Sequence, residues 1–270
     1  MLVAVTGGAR GIGLATASAF ARTGATVVIG DVDVEAAGAA AAGIGAKALP
    51  LDVRSAGSCA EFVEAAGDVD IFVNNAGVVH AGPFLDIAQE MRELQLDVNL
   101  RGVVNGMAAV LPGMVARGRG HVVNVASLAG RVPTPNAAIY TATKFAVLGL
   151  TQAVRDELKG SGVRLTAVLP TFVRTEMISG LRLDGIPKVD PADVANAILR
   201  AVRRGGPVVV TVPRWLGGLP RLAMFVPQPV RDLALRARNE PQEIPTDRNA
   251  YVERVRGLLR SSGEESGPAR

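Results

Sequence analysis

The segment Thr6-Gly7-Gly8-Ala9-Arg10-Gly11-Ile12-Gly13 follows a short apolar run, Leu2–Thr6, and leads into a helix-forming stretch, Leu14–Arg22. Its glycines allow a tight turn, let backbone N–H groups approach a pyrophosphate, and let the helix pack closely on the strand. The spacing is G-x-x-x-G-x-G and differs from G-x-G-x-x-G, so by itself it also fits a glycine turn that binds no ligand. Its place directly after a strand favours a dinucleotide-binding turn in a strand-helix-strand unit.

Short β-branched runs recur along the chain, with helical stretches between them. They are continuous and apolar rather than alternating, which is typical of parallel strands buried on both faces. We therefore predict an α/β fold, with a doubly wound parallel sheet of about seven strands and helices on both faces. The predicted strands are Leu2–Thr6, Thr26–Gly30, Ala46–Leu51, Asp70–Val73, His121–Val125, Val163–Leu169 and Val208–Val212.

The length of 270 residues, with 49% hydrophobic and 20% charged residues, is typical of one globular domain with a single core. We predict that residues 1–212 form a dinucleotide-binding and catalytic domain, with a substrate lid at about 174–190. Residues 213–260 are interrupted by prolines and are predicted to form a C-terminal helical appendage of the same domain. Residues 261–270 are predicted to be disordered.

Cysteine content and charge limit the compartment and the class of partner. The single cysteine, Cys59, lies in a helix predicted over residues 55–66. With no second cysteine, it cannot form an internal disulfide. The sequence lacks a secretory signal and a membrane-spanning apolar run, so we expect a cytoplasmic protein. The net charge of +4 comes from residues 203–270, which hold 12 Arg and 7 acidic residues. The sequence contains no recognisable nucleic-acid-binding module, so we expect that this positive charge does not bind nucleic acid. The two histidines, His80 and His121, do not have the spacing of metal ligands, so no metal site is predicted.

The end of the second predicted strand carries an acid, Asp31, about 18 residues beyond Gly13. A carboxylate there can accept hydrogen bonds from the adenine-ribose hydroxyls and repels a 2′-phosphate, which favours NAD. Arg10 is the counter-evidence, because a cation in the glycine loop could reach a 2′-phosphate, and NADP therefore stays open. Asp52 and Val53 could contact adenine, although Asp52 is almost equally explained as a turn or helix-capping acid.

Further motifs follow in chain order: Asn74-Asn75-Ala76-Gly77, Asp97-Val98-Asn99-Leu100, Ser127 and Tyr140-Thr141-Ala142-Thr143-Lys144. Together with the glycine segment they resemble the short-chain dehydrogenase/reductase family, in its single-domain branch, over residues 2 to about 212. The resemblance implies a Rossmann fold and an NAD(P)-dependent oxidoreductase that interconverts a hydroxyl and a carbonyl by hydride transfer. The joint occurrence of these motifs is far more specific than any one of them.

The chemistry of the Tyr140 and Lys144 pair can also be argued from the residues. Four positions apart on a helix, they share one face. An ammonium beside a phenol stabilises the phenolate, so Lys144 is expected to lower the pKa of Tyr140 and make it a general acid and base. Ser127 could hold the substrate oxygen by a hydrogen bond and stabilise the charge that develops there.

The resemblance implies further roles. Lys144 would also hold the nicotinamide ribose, and Asn99 would anchor a water that connects Lys144 to solvent. One departure is Thr171, which stands where the family commonly has glycine after Pro170, so the backbone near the nicotinamide is expected to differ. The predicted cofactor-binding residues are Gly7, Arg10, Gly11, Ile12, Gly13, Asp31, Asp52, Val53, Asn75, Ala76, Gly77, Tyr140, Lys144, Pro170, Val173 and Thr175.

The predicted lid has an apolar set of residues that favours a hydrophobic alcohol or ketone as substrate, although packing within the lid explains the set equally well. Arg174 and Arg182 keep a carboxylate or a thioester carrier open. Two other functions stay open: a non-catalytic dinucleotide-binding module, and a sugar-nucleotide epimerase or dehydratase that uses the same Tyr and Lys. The apolar lid residues are Met177, Ile178, Leu181, Leu183 and Ile186.

Two surfaces suggest partners. The resemblance implies a homodimer or homotetramer built on the helices at 91–117 and 138–160. Their apolar residues could supply more than one buried face: Val103, Val104, Ala108, Val147 and Leu150. Residues 213–238 combine Trp215 with large apolar residues and arginines, which would suit peripheral contact with an anionic membrane. The alternative is that Trp215, Leu219, Leu222 and Phe225 fold back over the active-site cleft or a subunit partner.

Overall fold

A computed structural model describes residues 1–178, 188–203 and 208–217, together with Tyr251, Arg254, Val255 and Gly257. Several predictions lie outside these residues. They are the central part of the lid with Leu181, Arg182, Leu183 and Ile186, the folding back of Leu219, Leu222 and Phe225, most of the 213–260 appendage, and the 261–270 tail.

A seven-stranded sheet forms the centre of the fold, and all of its neighbouring strands are parallel. Its spatial order is β3-β2-β1-β4-β5-β6-β9, so the order reverses at β1 and β4. Crossover helices therefore leave a crevice at the carboxyl ends of these two strands. The strands are β1 Leu2–Thr6, β2 Thr26–Asp31, β3 Lys47–Pro50, β4 Ile71–Asn74, β5 Gly120–Val125, β6 Val163–Pro170 and β9 Val209–Val212, and a separate pair joins β7 Phe172–Val173 to β8 Lys188–Val189.

Helices cover both faces of the sheet. Successive strand residues point to opposite faces, and in β1 both sets are apolar: Val3 and Val5 pack with one layer of helices, and Ala4 with the other. This explains why the strands are continuous apolar runs and confirms the doubly wound architecture. One layer holds α1 Gly11–Ala21, α2 Val34–Ile44 and α7 Pro191–Arg203; the other holds α3 Ala56–Ala66, α4 Gln89–Leu96, α5 Gly102–Ala116 and α6 Ala138–Glu157.

The boundaries of the predicted strands are correct to within one residue, whereas two helices differ from expectation. Helix α1 begins at Gly11, three residues before the predicted start, because the second half of the glycine segment is already helical. A π-helical turn at Asp97–Arg101 joins α4 to α5. The continuous helix Gln89–Ala116 is long and apolar enough to cross a membrane by length and composition, but core helices of folded domains meet the same test, and this one packs against the sheet.

Candidate active site

A cavity of about 1180 Å³ opens at the carboxyl ends of the central strands. It exceeds the size of an ordinary small-ligand pocket and can hold a dinucleotide together with a second molecule. All the predicted site residues line it except Gly13 and Asn99, which lie directly behind its wall. The structure therefore brings the predicted catalytic and cofactor residues to one place.

The glycine segment forms the floor of the cavity. Gly7 has a φ of 61°, and a β-carbon at Gly13 would lie 2.0 Å from the carbonyl oxygen of Gly7, so neither position accepts a larger residue without rearrangement. Among the residues that the structure describes, no side chain forms a capping hydrogen bond with the first turn of α1, whose N-cap residue is Arg10. Its first N–H groups therefore face the cavity as donors suited to a phosphate.

Asp31 links the glycine segment to α2. Its Oδ2 accepts a hydrogen bond from the Ala9 N–H at 3.0 Å, and its Oδ1 accepts one from the Asp33 N–H at 3.2 Å. Asp33, which the sequence analysis did not single out, caps α2 and pairs with Arg10 at 2.7 Å. The hydrogen bond from Arg10 holds the pKa of Asp33 below its usual value. Arg10 thus faces a carboxylate, which reduces its availability to a 2′-phosphate.

Asp52 follows β3, which ends two residues earlier at Pro50. Although burial raises its pKa, hydrogen bonds from Arg54 outweigh that effect and lower it. The closest contact joins Arg54 Nη2 to Asp52 Oδ2 at 2.6 Å. The turn acid that the sequence allowed is therefore present, and adenine contact by Asp52 and Val53 stays a prediction.

Asn75 fixes the loop after β4 to the glycine segment. Its Nδ2 donates to the carbonyl oxygens of Thr6 and Gly7, both at 3.0 Å. The Thr6 hydroxyl accepts hydrogen bonds from the N–H groups of Asn75 and Ala76. The Asn75 amide group therefore positions the two cofactor-facing loops, and Thr6 is a positioning residue that the sequence analysis missed.

Asn99 lies in the π-helical turn, a distortion that is frequent at functional sites. It is fully buried, and its amide pairs with both backbone groups of Val78, each at 2.8 Å. A β-carbon at Gly77 would lie 3.2 Å from Asn99 Oδ1 and 3.8 Å from Lys144 Nζ. Asn99 Oδ1 and Lys144 Nζ therefore both lie near Gly77, and the water-anchoring role of Asn99 stays a prediction.

Ser127, Tyr140 and Lys144 converge on the cavity. Ser127 follows β5, and its side chain lies beside that of Tyr140 near the start of α6. The Ser127 Oγ also accepts a hydrogen bond from the Ala129 N–H at 3.1 Å. Lys144, one helical turn further, places its Nζ 5.5 Å from the centre of the Tyr140 ring. The Nζ also donates to the carbonyl oxygen of Val125 at 3.0 Å. The three side chains can therefore act on one substrate oxygen.

The pKa directions correct one expectation. Burial raises the pKa of Tyr140 above its usual value, and the hydrogen bond from Ser127 only partly opposes this. Burial also lowers the pKa of Lys144 to about 8. The predicted net lowering of the Tyr140 pKa is therefore wrong for this structure, because burial of the phenol has the larger effect.

The segment after β6 closes the cavity on the lid side. The Thr171 N–H donates to the Val212 carbonyl at 2.9 Å, so the chain stays tied to the sheet where the family commonly has glycine. Val173 is buried in β7. A β-carbon at Gly11 would lie 3.2 Å from the Thr175 methyl group, which places Thr175 against the glycine segment.

Three residues from the end of the chain also line the cavity: Tyr251, Arg254 and Val255. Burial raises the pKa of Tyr251. No sequence pattern marked these residues, because they lie in a segment without a recognisable motif.

The fit of a nicotinamide dinucleotide is supported by the uncapped turn of α1, the Asp31 carboxylate and the Tyr140 and Lys144 pair.

Comparisons with known proteins agree with the fold and with the family that the motifs resemble. The sequence pattern of the family described as short chain dehydrogenase matches residues 1–184. The chain is 37% identical over 207 residues to the oxidoreductase UcpA of Escherichia coli. The matched region covers 73% of this chain and 78% of that protein.

Two solved structures are similar as well. A short chain dehydrogenase/reductase from Burkholderia phymatum in complex with NAD has a TM-score of 0.76 at 24% identity, covering 92% of this chain and 97% of that one. This likeness supports the fold alone. The closed form of serine dehydrogenase complexed with NADP+ has a TM-score of 0.73 at 28% identity, covering 78% of this chain and 94% of that one.

Proposed function

The chain belongs to the short-chain dehydrogenase family of NAD(P)-dependent oxidoreductases, and we propose that it interconverts a hydrophobic alcohol and the corresponding carbonyl compound. The observation that carries the proposal is the convergence of Ser127, Tyr140 and Lys144 on a cavity that also contains the glycine segment. A nicotinamide dinucleotide bound there supplies or accepts the hydride.

The protein's own residues would handle the proton and the developing charge. The Ser127 and Tyr140 side chains lie beside each other in the cavity, so one substrate oxygen could accept a hydrogen bond from each hydroxyl. A phenol is protonated at neutral pH, and burial raises the pKa of Tyr140 further, so Tyr140 can donate a proton to a carbonyl oxygen during reduction. In oxidation the same oxygen accepts the proton, which is favoured as the pH rises.

The side chains around Tyr140 support a hydrophobic substrate. In the described part of the lining, each arginine has a carboxylate partner: Arg10 and Arg54 as above, Arg174 with Asp190, and Arg254 with Glu176. An acidic substrate would therefore have to displace a carboxylate to reach any of these four cations. The apolar lining residues are Val79, Leu128, Val132, Phe172, Met177, Ile178 and Leu216.

A substrate panel tests the proposal. Purified protein is assayed at 340 nm with NAD, NADP, NADH and NADPH against matched sets of apolar and acidic alcohols and carbonyl compounds. Turnover of apolar members above acidic members of equal size supports the proposal. Cofactor binding with no turnover of any member would instead favour the non-catalytic module, and turnover of sugar nucleotides without net redox change would favour the epimerase.

We propose that NAD is the preferred cofactor, and Asp31→Asn tests this. The substitution removes the charge that repels a 2′-phosphate but keeps an oxygen that can accept from the Ala9 N–H. The NADP-to-NAD ratio of kcat/KM is expected to rise by at least about tenfold. Glu35→Gln, an exposed acid in the first turn of α2, serves as the control and should leave the ratio unchanged. A wild-type preference for NADPH would disprove the assignment.

A homodimer or homotetramer is proposed on the long helices. The apolar residues of these helices serve more than one face, since Val103 and Val147 are buried in the core. Other apolar side chains on α5 and α6 are exposed: Val104, Ala108, Val115 and Phe145. Val104→Glu is therefore expected to shift light scattering at micromolar concentration toward the 27.9 kDa monomer. A wild-type protein that is already monomeric contradicts the proposal.

A further inference from the structure

The end of the chain is attached to the wall of the cavity by specific contacts. The Tyr251 hydroxyl accepts a hydrogen bond from the Val79 N–H at 2.6 Å and donates one to the Val79 carbonyl at 2.9 Å. Val255 is buried in the same core cluster as α5 and α6. Tyr251 and Val255 are thereby held against the loop that follows β4 and the core beneath it, and both line the cavity that holds the catalytic residues.

Arg254 extends from the same part of the chain toward the glycine segment. Its guanidinium pairs with Glu176 at 2.5 Å, and the adjacent Thr175 packs against Gly11. The positive charge of Arg254 also contributes, as the smallest of several causes, to the lowered pKa of Asp33, which binds Arg10 of the glycine segment. Arg254 therefore lines the same cavity as the glycine segment, on the side formed by Thr175 and Glu176.

We propose that Arg254 is a ligand of the cofactor's phosphates, and that it exchanges Glu176 for the pyrophosphate when the dinucleotide binds. This inference rests on the proposed function. A guanidinium offers a planar fork of donors that matches phosphate oxygens. The side chain of Glu176 is 56% exposed, so it can return to water at little cost when Arg254 leaves it.

Glu176 is thereby a competitor of the phosphates. In the alternative arrangement, the ion pair only fastens the end of the chain to the lid, and both partners would support cofactor binding equally. The two arrangements make opposite predictions for Glu176. Loss of its charge improves phosphate binding if Arg254 is a ligand, and weakens it if the ion pair is only a fastener.

Calorimetric binding of ADP-ribose, which carries the pyrophosphate, and of adenosine, which lacks it, tests the inference in the full chain. Arg254→Gln is expected to raise the Kd of ADP-ribose by about tenfold and to leave adenosine binding unchanged. Arg254→Lys should recover only part of the loss, because it keeps the charge but not the planar fork of donors. Glu176→Gln should lower the Kd of ADP-ribose about two- to fivefold.

Arg155→Gln is the matched control. It removes one positive charge and one ion pair with a carboxylate, that of Asp156, and lies 15 residues along α6 from Tyr140, roughly 22 Å away. Its Kd values should match those of the wild type. Any general effect of net charge on anion binding would appear in this variant too.

Three results would overturn the inference. They are an Arg254→Gln Kd for ADP-ribose within about twofold of wild type, an equal weakening by Arg254→Gln and Glu176→Gln, and a loss of adenosine binding as large as that of ADP-ribose. If Arg254→Gln does not fold, the direction of the Glu176→Gln effect decides. A wild-type chain that binds neither NADH nor ADP-ribose overturns the proposed function itself, which separates the two failures.

Discussion

Replacing Tyr140 by phenylalanine is expected to lower kcat by roughly 10²–10⁴-fold or more, because the variant keeps the ring but loses the transferable proton. Cofactor binding should survive, since the ring still lines the cavity beside Lys144. The measurement is steady-state turnover in both directions, with NADH titration and a thermal melt to establish binding and folding. Removing the hydroxyl also removes the hydrogen bond to Ser127, so Ser127→Ala belongs in the same series.

The chain offers a matched control, because it contains only two tyrosines. Tyr251→Phe removes the other phenolic hydroxyl from the same cavity, but that hydroxyl is committed to the Val79 backbone. Its loss should lower kcat by less than about tenfold and should lower stability by about 1 kcal/mol. Equal losses of turnover in the two variants, or full turnover in a folded Tyr140→Phe protein, would remove Tyr140 from its proposed role.

Most of the fold could be predicted because the sheet is buried on both faces. Strands such as β1 and β4 then become continuous apolar runs, which have clear ends at polar or glycine residues. The start of α1 was less predictable, because the glycines that form the turn also form its first helical residues. The π-helical turn at Asp97–Arg101 has no sequence signal, since it depends on how Asn99 packs against Val78.

The candidate site could be predicted where it depends on local spacing. Tyr140 and Lys144 share a helix face, and Asp31 ends a strand, so chain geometry alone places them. Contacts between distant segments could not be predicted in this way. Asp33 is two residues from Asp31, yet its pairing with Arg10 depends on the fold, and nothing near Arg254 in the sequence indicates that it reaches Glu176.

Replacing Lys144 by methionine is expected to lower kcat by at least roughly 10²-fold, because it removes the cation beside Tyr140 while leaving an apolar side chain of similar length. Burial of Lys144 is nearly complete, with 4% of the residue exposed. Turnover is measured at saturating cofactor, and the Kd of NADH is measured separately. A drop in cofactor affinity alone, with kcat retained, would make Lys144 a binding residue rather than a catalytic one.

The same variant tests the electrostatic state of the site through stability. The pKa of Lys144 falls from its usual 10.5 to about 8 on folding, so between these pH values the unfolded chain binds the additional proton, and stability rises with pH. The difference in the free energy of unfolding, wild type minus Lys144→Met, should therefore increase by about 1 kcal/mol between pH 7 and pH 9. Other titrating groups cancel in this difference. Denaturant unfolding at both pH values measures it, and a difference that stays constant or decreases would mean that the buried ammonium keeps its ordinary pKa, held by a stronger partner than the Val125 carbonyl.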